Sequence, residues 1–309
     1  MPAPLKHMTP HIWGLLALLA FIWGGSFFFV RIAVLEIPPL TLVLARVLIA
    51  AIVLNLFLIA RPTGMQHRPK LWLQFAIMGM LNNIIPFSLL FYGQQELGAG
   101  LASIINALTP IWSLLIAHVA TRDERLSASK LFGVAVGFAG VGIMIGGAVF
   151  AGLNGIVLAL LAVVGTTISY GFASVYGRIF SDVPPLETAR GQLTTSTIFM
   201  LPIALLLDKP WLLPMPSTIA IGSIILLATV CTAYAYILYF KILASAGAVN
   251  ISLVTLLVPV SAIALGMVFL GEVLLPRHIV GLGFILIGLA AIDGRPLSYL
   301  RHRLFHKLT

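Results

Sequence analysis

Ten apolar runs divide the 309-residue chain, and nearly all reach the roughly 20 residues that a helix needs to cross a bilayer. Hydrocarbon offers backbone groups no hydrogen-bonding partner, so only helices and closed barrels span it. The chain is 60% hydrophobic and 9% charged, whereas soluble domains are about a quarter charged. The sequence therefore predicts an all-α integral membrane protein with ten transmembrane helices. The predicted spans are 12–30, 38–60, 71–93, 99–120, 130–149, 154–176, 186–207, 217–240, 247–270 and 276–292.

Basic residues lie mainly on one side of these spans. Of the 18 Lys and Arg residues, 14 fall on the side that holds the N-terminus, three on the other, and Arg46 lies within a span. The positive-inside rule then predicts that both termini are cytoplasmic, in a multi-pass protein of the cell inner membrane. The net charge of +9 thus reflects topology, and we do not expect nucleic-acid binding.

Two halves of the chain repeat each other. The stretch EIPPL at 36–40 returns as DVPPL at 182–186, and NALTPIWSLL from Asn106 resembles TLLVPVSAIA from Thr255. Each half holds five spans, an odd number, so the second half enters the membrane upside down. The sequence predicts two inverted-topology five-helix repeats, at 1–150 and 151–294, followed by a basic cytoplasmic tail at 295–309.

This layout resembles the EamA family of the drug/metabolite transporter superfamily. The resemblance rests on two five-helix units that each end in a proline-containing helix, an acidic residue and a Gly-rich helix, and on WGGSFFFVR and PPLTLVLAR near the start. It implies secondary transport of small metabolites, often export. Length and aromatic content are most similar to bacterial amino-acid exporters. In inverted-repeat transporters the site lies near the midplane, between the halves.

Two faces of small and polar residues are candidate walls of a cavity. Ser103, Asn106 and Pro110 recur at helical spacing in the fourth span, and the ninth span repeats them 149 residues later. Polar residues inside spans usually face a bundle interior. Helix packing is the alternative, because it also favours small residues. The second face consists of Ser252, Thr255 and Pro259.

Prolines sharpen this prediction. A helix proline frees the carbonyl four residues back, so Pro86, Pro110 and Pro259 would free the carbonyls of Asn82, Asn106 and Thr255, with Asn83 beside the first. Such carbonyls would bind an ammonium group, or nearby Ser and Asn side chains would satisfy them locally. We predict that the three prolines also serve as gating kinks.

Aromatic and charged residues complete the candidates. Trp23, Tyr170 and Tyr236 lie within spans, where they would stack on an apolar substrate group. Placing the charged side chain of Arg46 inside a span costs roughly 3 kcal/mol unless it is partnered. We interpret it first as a structural residue that bonds helix ends in a neighbouring loop, and alternatively as a binder of a substrate carboxylate.

The charged groups that the predicted spans lack restrict the possible functions. No Asp or Glu lies in the middle third of a predicted span, and no Lys/Arg cluster would clamp a phosphate. We expect no enzyme activity, cofactor or metal, and a monomer whose partners are a small-molecule substrate and the lipid bilayer. The best candidates are neutral or zwitterionic metabolites, above all aromatic or hydrophobic amino acids, exported by alternating access. The alternatives are a multidrug efflux transporter and a channel-like facilitator.

The charge asymmetry makes a topology prediction. In a Cys231→Ala background, a cysteine at Gly152 should react with an impermeant thiol reagent added to intact cells, and a cysteine at Gly64 should not. A permeant reagent should label both, as a control. Labelling of Gly64 from outside would contradict the predicted orientation.

Overall fold

The computed structural model describes residues 9–60, 69–121, 127–150, 154–246, 251 and 253–293. In this part of the chain ten long helical segments follow one another, numbered here α1 to α10. They are α1 Pro10–Ala33, α2 Pro39–Ala60, α3 Pro69–Glu96, α4 Ala99–Ala120, α5 Ala128–Phe150, α6 Asn154–Phe180, α7 Pro185–Leu207, α8 Thr218–Ala246, α9 Val254–Leu270 and α10 Pro276–Asp293. The predicted tail lies outside the described residues.

The helices are those of a membrane protein. Seven are long and apolar enough to cross a bilayer, and α5, α9 and α10 hold shorter apolar segments. Large apolar side chains cover much of the surface, as at Ile59, Leu206 and Val268, where lipid tails would solvate them. The predicted all-α membrane fold is confirmed. The main boundary differences are at the junction of α8 and α9: α8 continues beyond the predicted 240 to Ala246, and α9 begins at Val254 rather than at the predicted 247.

The packing follows an inverted repeat. α1 packs against α8 and α9, while its counterpart α6 packs against α3 and α4. α2 packs on its own counterpart α7, and α5 on α10. Exchanging each of these helices with the one five places away therefore reproduces these main contacts.

Glycines show the same symmetry at atomic scale. A Cβ on Gly133 would lie 2.5 Å from the carbonyl oxygen of Gly288, and one on Gly140 would lie 2.7 Å from that of Gly281. Gly133 and Gly281 are equivalent in the repeat, as are Gly140 and Gly288. Hence α5 and α10 cross by exchanging equivalent contacts, and only glycine permits so close an approach.

Within the described ranges, three helices are interrupted near their middles. α3 contains a π-helical turn at Met80–Ile84 and α8 contains one at Thr229–Tyr234, starting 149 residues later. α4 divides into Ala99–Asn106 and Thr109–Ala120, and Pro110 lies in the first turn of the second segment. π-helical turns are rare and concentrate at functional sites. These interruptions give the bundle irregular backbone at its centre.

Three carboxylates join the repeats at one end of the bundle, the end where α1 finishes and α2 begins, here called the 1–2 face. Glu272 accepts from the backbone N–H groups of Ala99 (2.6 Å) and Gly100 (3.0 Å), at the start of α4. The first N–H groups of a helix lack intrahelical partners and carry partial positive charge, so a carboxylate stabilises them.

The other two carboxylates do the same for α8 and α2. Glu36 accepts from the backbone N–H and the hydroxyl of Ser217, both at 2.7 Å, and these bonds lower the pKa of Glu36. Asp208 accepts from the backbone N–H (2.7 Å) and the hydroxyl (2.9 Å) of Thr41. We call Glu36, Asp208 and Glu272 the three carboxylate caps. Each reaches from one repeat to a helix start in the other.

Candidate functional site

Arg46 lies at the centre of the bundle, on α2. Its Nε donates to the hydroxyl of Thr232 at 2.9 Å, and its guanidinium carbon lies 3.8 Å from the centre of the Phe87 ring. The residue is 6% exposed. We expected Arg46 to bond helix ends in a loop, and this was wrong. Its partner Thr232 instead lies in the π-helical turn of α8, and this turn directs Thr232 inward.

Asn82 forms the second half of this centre. Its Nδ2 donates to Oε1 of Gln192 on α7 and to the Tyr236 hydroxyl on α8, each at 3.0 Å. Its neighbour Asn83 is fully buried and donates to Ser196 at 3.1 Å. The π-helical turn of α3 thus directs two adjacent amides towards α7. We call Arg46, Asn82, Phe87, Gln192, Thr232 and Tyr236 the central cluster.

The two halves of the central cluster are equivalent positions with different chemistry. Arg46 and Gln192 are 146 residues apart, and Phe87 and Tyr236 are 149 apart, the offsets of the repeat. Phe87 stacks on Phe91 with ring centres 6.0 Å apart, and Tyr236 stacks on Phe240 at 6.1 Å. One wall therefore carries a cation over a phenyl ring, and the other carries neutral amides beside a phenol.

The remaining predicted aromatics lie around this cluster. Tyr170 on α6 is within electrostatic range of the Arg46 guanidinium. Trp23 packs on Tyr239 at 5.6 Å, and Tyr239 lies against Phe240 at 5.2 Å. The aromatic contacts therefore run from Trp23 to the Phe240 and Tyr236 pair.

Hydroxyl groups satisfy two of the carbonyls that prolines free. In the π-helical turn of α3, Ile85 donates to Met80, five residues back. In this register Pro86 frees the carbonyl of Leu81 rather than that of Asn82, and Ser169 donates to it at 2.7 Å. At Pro110, the Thr109 hydroxyl donates to the freed Asn106 carbonyl at 2.8 Å. Local satisfaction, the alternative in the sequence analysis, therefore applies at both prolines.

The described residues of the first predicted small face form no hydrogen bond with the central cluster. The Ser103 hydroxyl donates to Gly100, within its own helix, at 2.7 Å. Oδ1 of Asn106 is buried without a hydrogen bond in the described part of the chain. Pro259 is buried and Thr255 half-buried in α9. Ser252 lies outside the described residues.

A cavity of about 560 Å³ opens at the 1–2 face. None of the predicted site residues in the described part of the chain lines it. The carboxylate caps Glu36 and Glu272 lie in its wall, and Arg31, also in the wall, donates to the carbonyls of Gln94 (2.6 Å) and Gln95 (2.7 Å). Sequence reasoning missed this cavity because its polar residues come from separate helix ends. The other polar residues in the cavity wall are Glu96, Arg277 and His278.

Gln192, Thr232 and Phe87 were also missed as site residues. The repeat itself carried a signal, since its offset of 146 maps Arg46 onto Gln192. Thr232 and Asn83 are equivalent by the offset of 149. Applying those offsets to every polar residue within a span would have identified Gln192 and Thr232.

A bundle of apolar helices in two inverted repeats, with polar and aromatic groups of both repeats at its centre, defines a multi-pass membrane transporter. The profile of the EamA-like transporter family matches residues 11–146 and 153–292, once for each repeat. The chain belongs to this family, and it is a transporter rather than an enzyme.

Relatives span nearly the whole chain. It is 26% identical over 286 residues to an uncharacterized transporter of Archaeoglobus fulgidus, covering 90% of this chain and 96% of that one. It is 27% identical to the uncharacterized inner membrane transporter YedA of Escherichia coli K12, with 91% and 90% covered. Protein PecM of Dickeya dadantii is 26% identical, with 88% and 89% covered.

A solved crystal structure shares the fold. The two chains superpose with a TM-score of 0.63 at 19% identity, over 92% of this chain and 98% of the other. At this identity the likeness establishes architecture alone.

The Asn82–Gln192 hydrogen bond makes a prediction about the central cluster. Asn82→Ala and Gln192→Ala should show a coupling energy of about 1 kcal/mol in a double-mutant cycle of unfolding free energy, because each variant removes the same bond. The measurement is unfolding in a detergent–SDS titration. Asn55→Ala is the matched control, because Asn55 instead bonds Thr194 at 3.1 Å. Strict additivity of Asn82 and Gln192 would contradict the geometry.

Proposed function

We propose that the protein exports small neutral or zwitterionic metabolites, above all aromatic and hydrophobic amino acids, by alternating access around the central cluster. The observation that supports this proposal is the cluster itself. Amide, phenol and guanidinium groups from both repeats converge on one buried place, beside two stacked aromatic pairs. A ligand with a polar head and an apolar side chain matches that combination.

The interrupted helices support movement around this place. π-helical turns lie in α3 and α8 at the level of the cluster, and α4 breaks at Ala107 and Leu108. Such interruptions are common sites of helix bending, since fewer regular backbone bonds resist it. The gating role predicted for Pro86, Pro110 and Pro259 belongs to this proposal. Pro110 begins the second segment of α4, and Pro86 follows the π-helical turn of α3.

The 1–2 face provides one gate. The three carboxylate caps hold helix starts of one repeat against loops or helix ends of the other. If the termini are cytoplasmic, this face is external. The 560 Å³ cavity would then be the vestibule through which an exported substrate leaves.

Binding of the polar head would use neutral groups as well as charge. Asn106 contributes a buried acceptor, Oδ1, that has no hydrogen bond in the described part of the chain. An ammonium group donates three hydrogen bonds and has no acceptor. Carbonyl oxygens of Asn and Gln side chains would bind it without a carboxylate.

The proposal predicts saturable counterflow of phenylalanine in proteoliposomes without an ion gradient. The measurement is uptake of radiolabelled phenylalanine into vesicles preloaded with unlabelled phenylalanine. Tyr236→Phe should raise the half-saturation concentration about fivefold, because it removes the hydroxyl that orders Asn82, a loss of about 1 kcal/mol.

Tyr92→Phe is the matched control, since Tyr92 is 48% exposed on the surface of α3. It should leave transport unchanged. Uptake that appears only with an imposed proton gradient would contradict the uncoupled mechanism. Uptake that never saturates would indicate a channel-like facilitator, and exchange of cationic drugs without amino acids would indicate multidrug efflux.

A further inference from the structure

We propose that Arg46 binds a carboxylate of the substrate, so that the transported metabolites are monocarboxylates with an apolar or aromatic part. Amino acids are one such class, and amphipathic organic acids are another. The inference rests on the proposed function, because it takes the central cluster as the binding site. It goes further by naming the group that every substrate must carry.

Arg46 carries a positive charge in the interior of the bundle. Arg46 is 6% exposed within a membrane helix, where an ionised side chain is costly unless it is paired. In the described part of the chain it has no carboxylate partner, and the ionisable groups near it are Tyr170, Cys231 and Tyr236. The Phe87 ring provides cation–π attraction but cannot neutralise the charge. No described carboxylate therefore neutralises the charge of Arg46.

Two contacts position the guanidinium of Arg46. Its Nε donates to Thr232 and its guanidinium carbon lies 3.8 Å from the centre of the Phe87 ring, so both contacts restrict the position of the group. Its two Nη atoms make no hydrogen bond within the described residues, and the residue is 6% exposed. Paired N–H groups of a guanidinium match the two oxygens of a carboxylate.

The two repeats differ at the position of Arg46. At the position equivalent to Arg46 the second repeat carries Gln192, which is bonded to Asn82. The central cluster therefore holds a single positive charge, on one wall. A single guanidinium neutralises one carboxylate but not a doubly charged phosphate, and it repels cationic drugs. The apolar part of the ligand would then extend towards Tyr170 and Tyr236.

Four ligands that share a phenyl group separate these possibilities. The measurement is the shift in thermal unfolding midpoint of the purified full-length protein in detergent. We expect 3-phenylpropionate and phenylalanine to stabilise the wild type, and phenylalaninamide and 2-phenylethylamine to leave it unchanged. Equal stabilisation by phenylalanine and its amide, or no stabilisation by either carboxylate, would overturn the proposal.

Variants locate the effect. Arg46→Gln gives the first repeat the residue that the second already has, and it should weaken apparent binding of 3-phenylpropionate at least tenfold. Arg46→Lys should retain part of the binding, because it keeps the charge but loses the paired N–H groups. Lys241→Gln is the matched control, because it removes the same charge from an exposed position in α8. Lys241→Gln should leave the apparent binding of 3-phenylpropionate unchanged.

The outcomes for the two proposals are distinct. Arg46-dependent binding of 3-phenylpropionate without phenylalanine exchange would preserve the carboxylate anchor and reject amino-acid export. Phenylalanine exchange with the same half-saturation concentration in Arg46→Gln would preserve the transport proposal and reject the anchor. If Arg46→Gln does not fold, the comparison of acid and amide on the wild type decides the matter.

Discussion

Backbone groups inside hydrocarbon must find their hydrogen-bonding partners within the protein, and this constraint shapes the centre of the molecule. Regular helices meet it unaided, whereas the interrupted helices need side chains. Ser169 donates to the Leu81 carbonyl in α3, Thr109 to Asn106 in α4, and Thr232 to Leu227 in α8. Each interruption is therefore tolerated because a hydroxyl lies beside it. The same irregular backbone turns Asn82 and Thr232 towards the middle of the bundle, where the central cluster forms.

The inverted repeat supplies this centre twice and lets the two copies diverge. Equivalent contacts are kept where packing is tight, as between Gly133 and Gly288 and between Gly140 and Gly281. Equivalent positions differ where a ligand would bind, since Arg46 corresponds to Gln192 and Phe87 to Tyr236. A symmetric scaffold with an asymmetric site would move in two equivalent directions while it holds its substrate in one orientation.

The architecture was predictable because apolar length and repeated segments are local properties of the sequence. The bounds of α4 agree with the predicted span, and α10 begins at the predicted Pro276. Of the predicted site residues, Asn82 and Tyr236 form a direct hydrogen bond. Two polar groups at a similar depth in neighbouring spans can reach each other. The partner of Arg46 was not predictable from helical periodicity, because a π-helical turn shifts the residues that follow it to another face. The carboxylate caps were missed for a different reason. In the sequence Glu36 and Glu272 are ordinary acidic loop residues, and only the fold brings them to Ser217 and Ala99.

Paired spin-label distances test the claim of alternating access most directly. One pair, Leu35 and Val273, reports on the 1–2 face, and a second pair, Val119 and Lys241, reports on the opposite face; all four positions are exposed. In a Cys231→Ala background, both distances should show two populations that phenylalanine shifts in opposite senses, one face opening as the other closes. A single distance at each face that phenylalanine leaves unchanged, or joint opening of both faces, would contradict the mechanism.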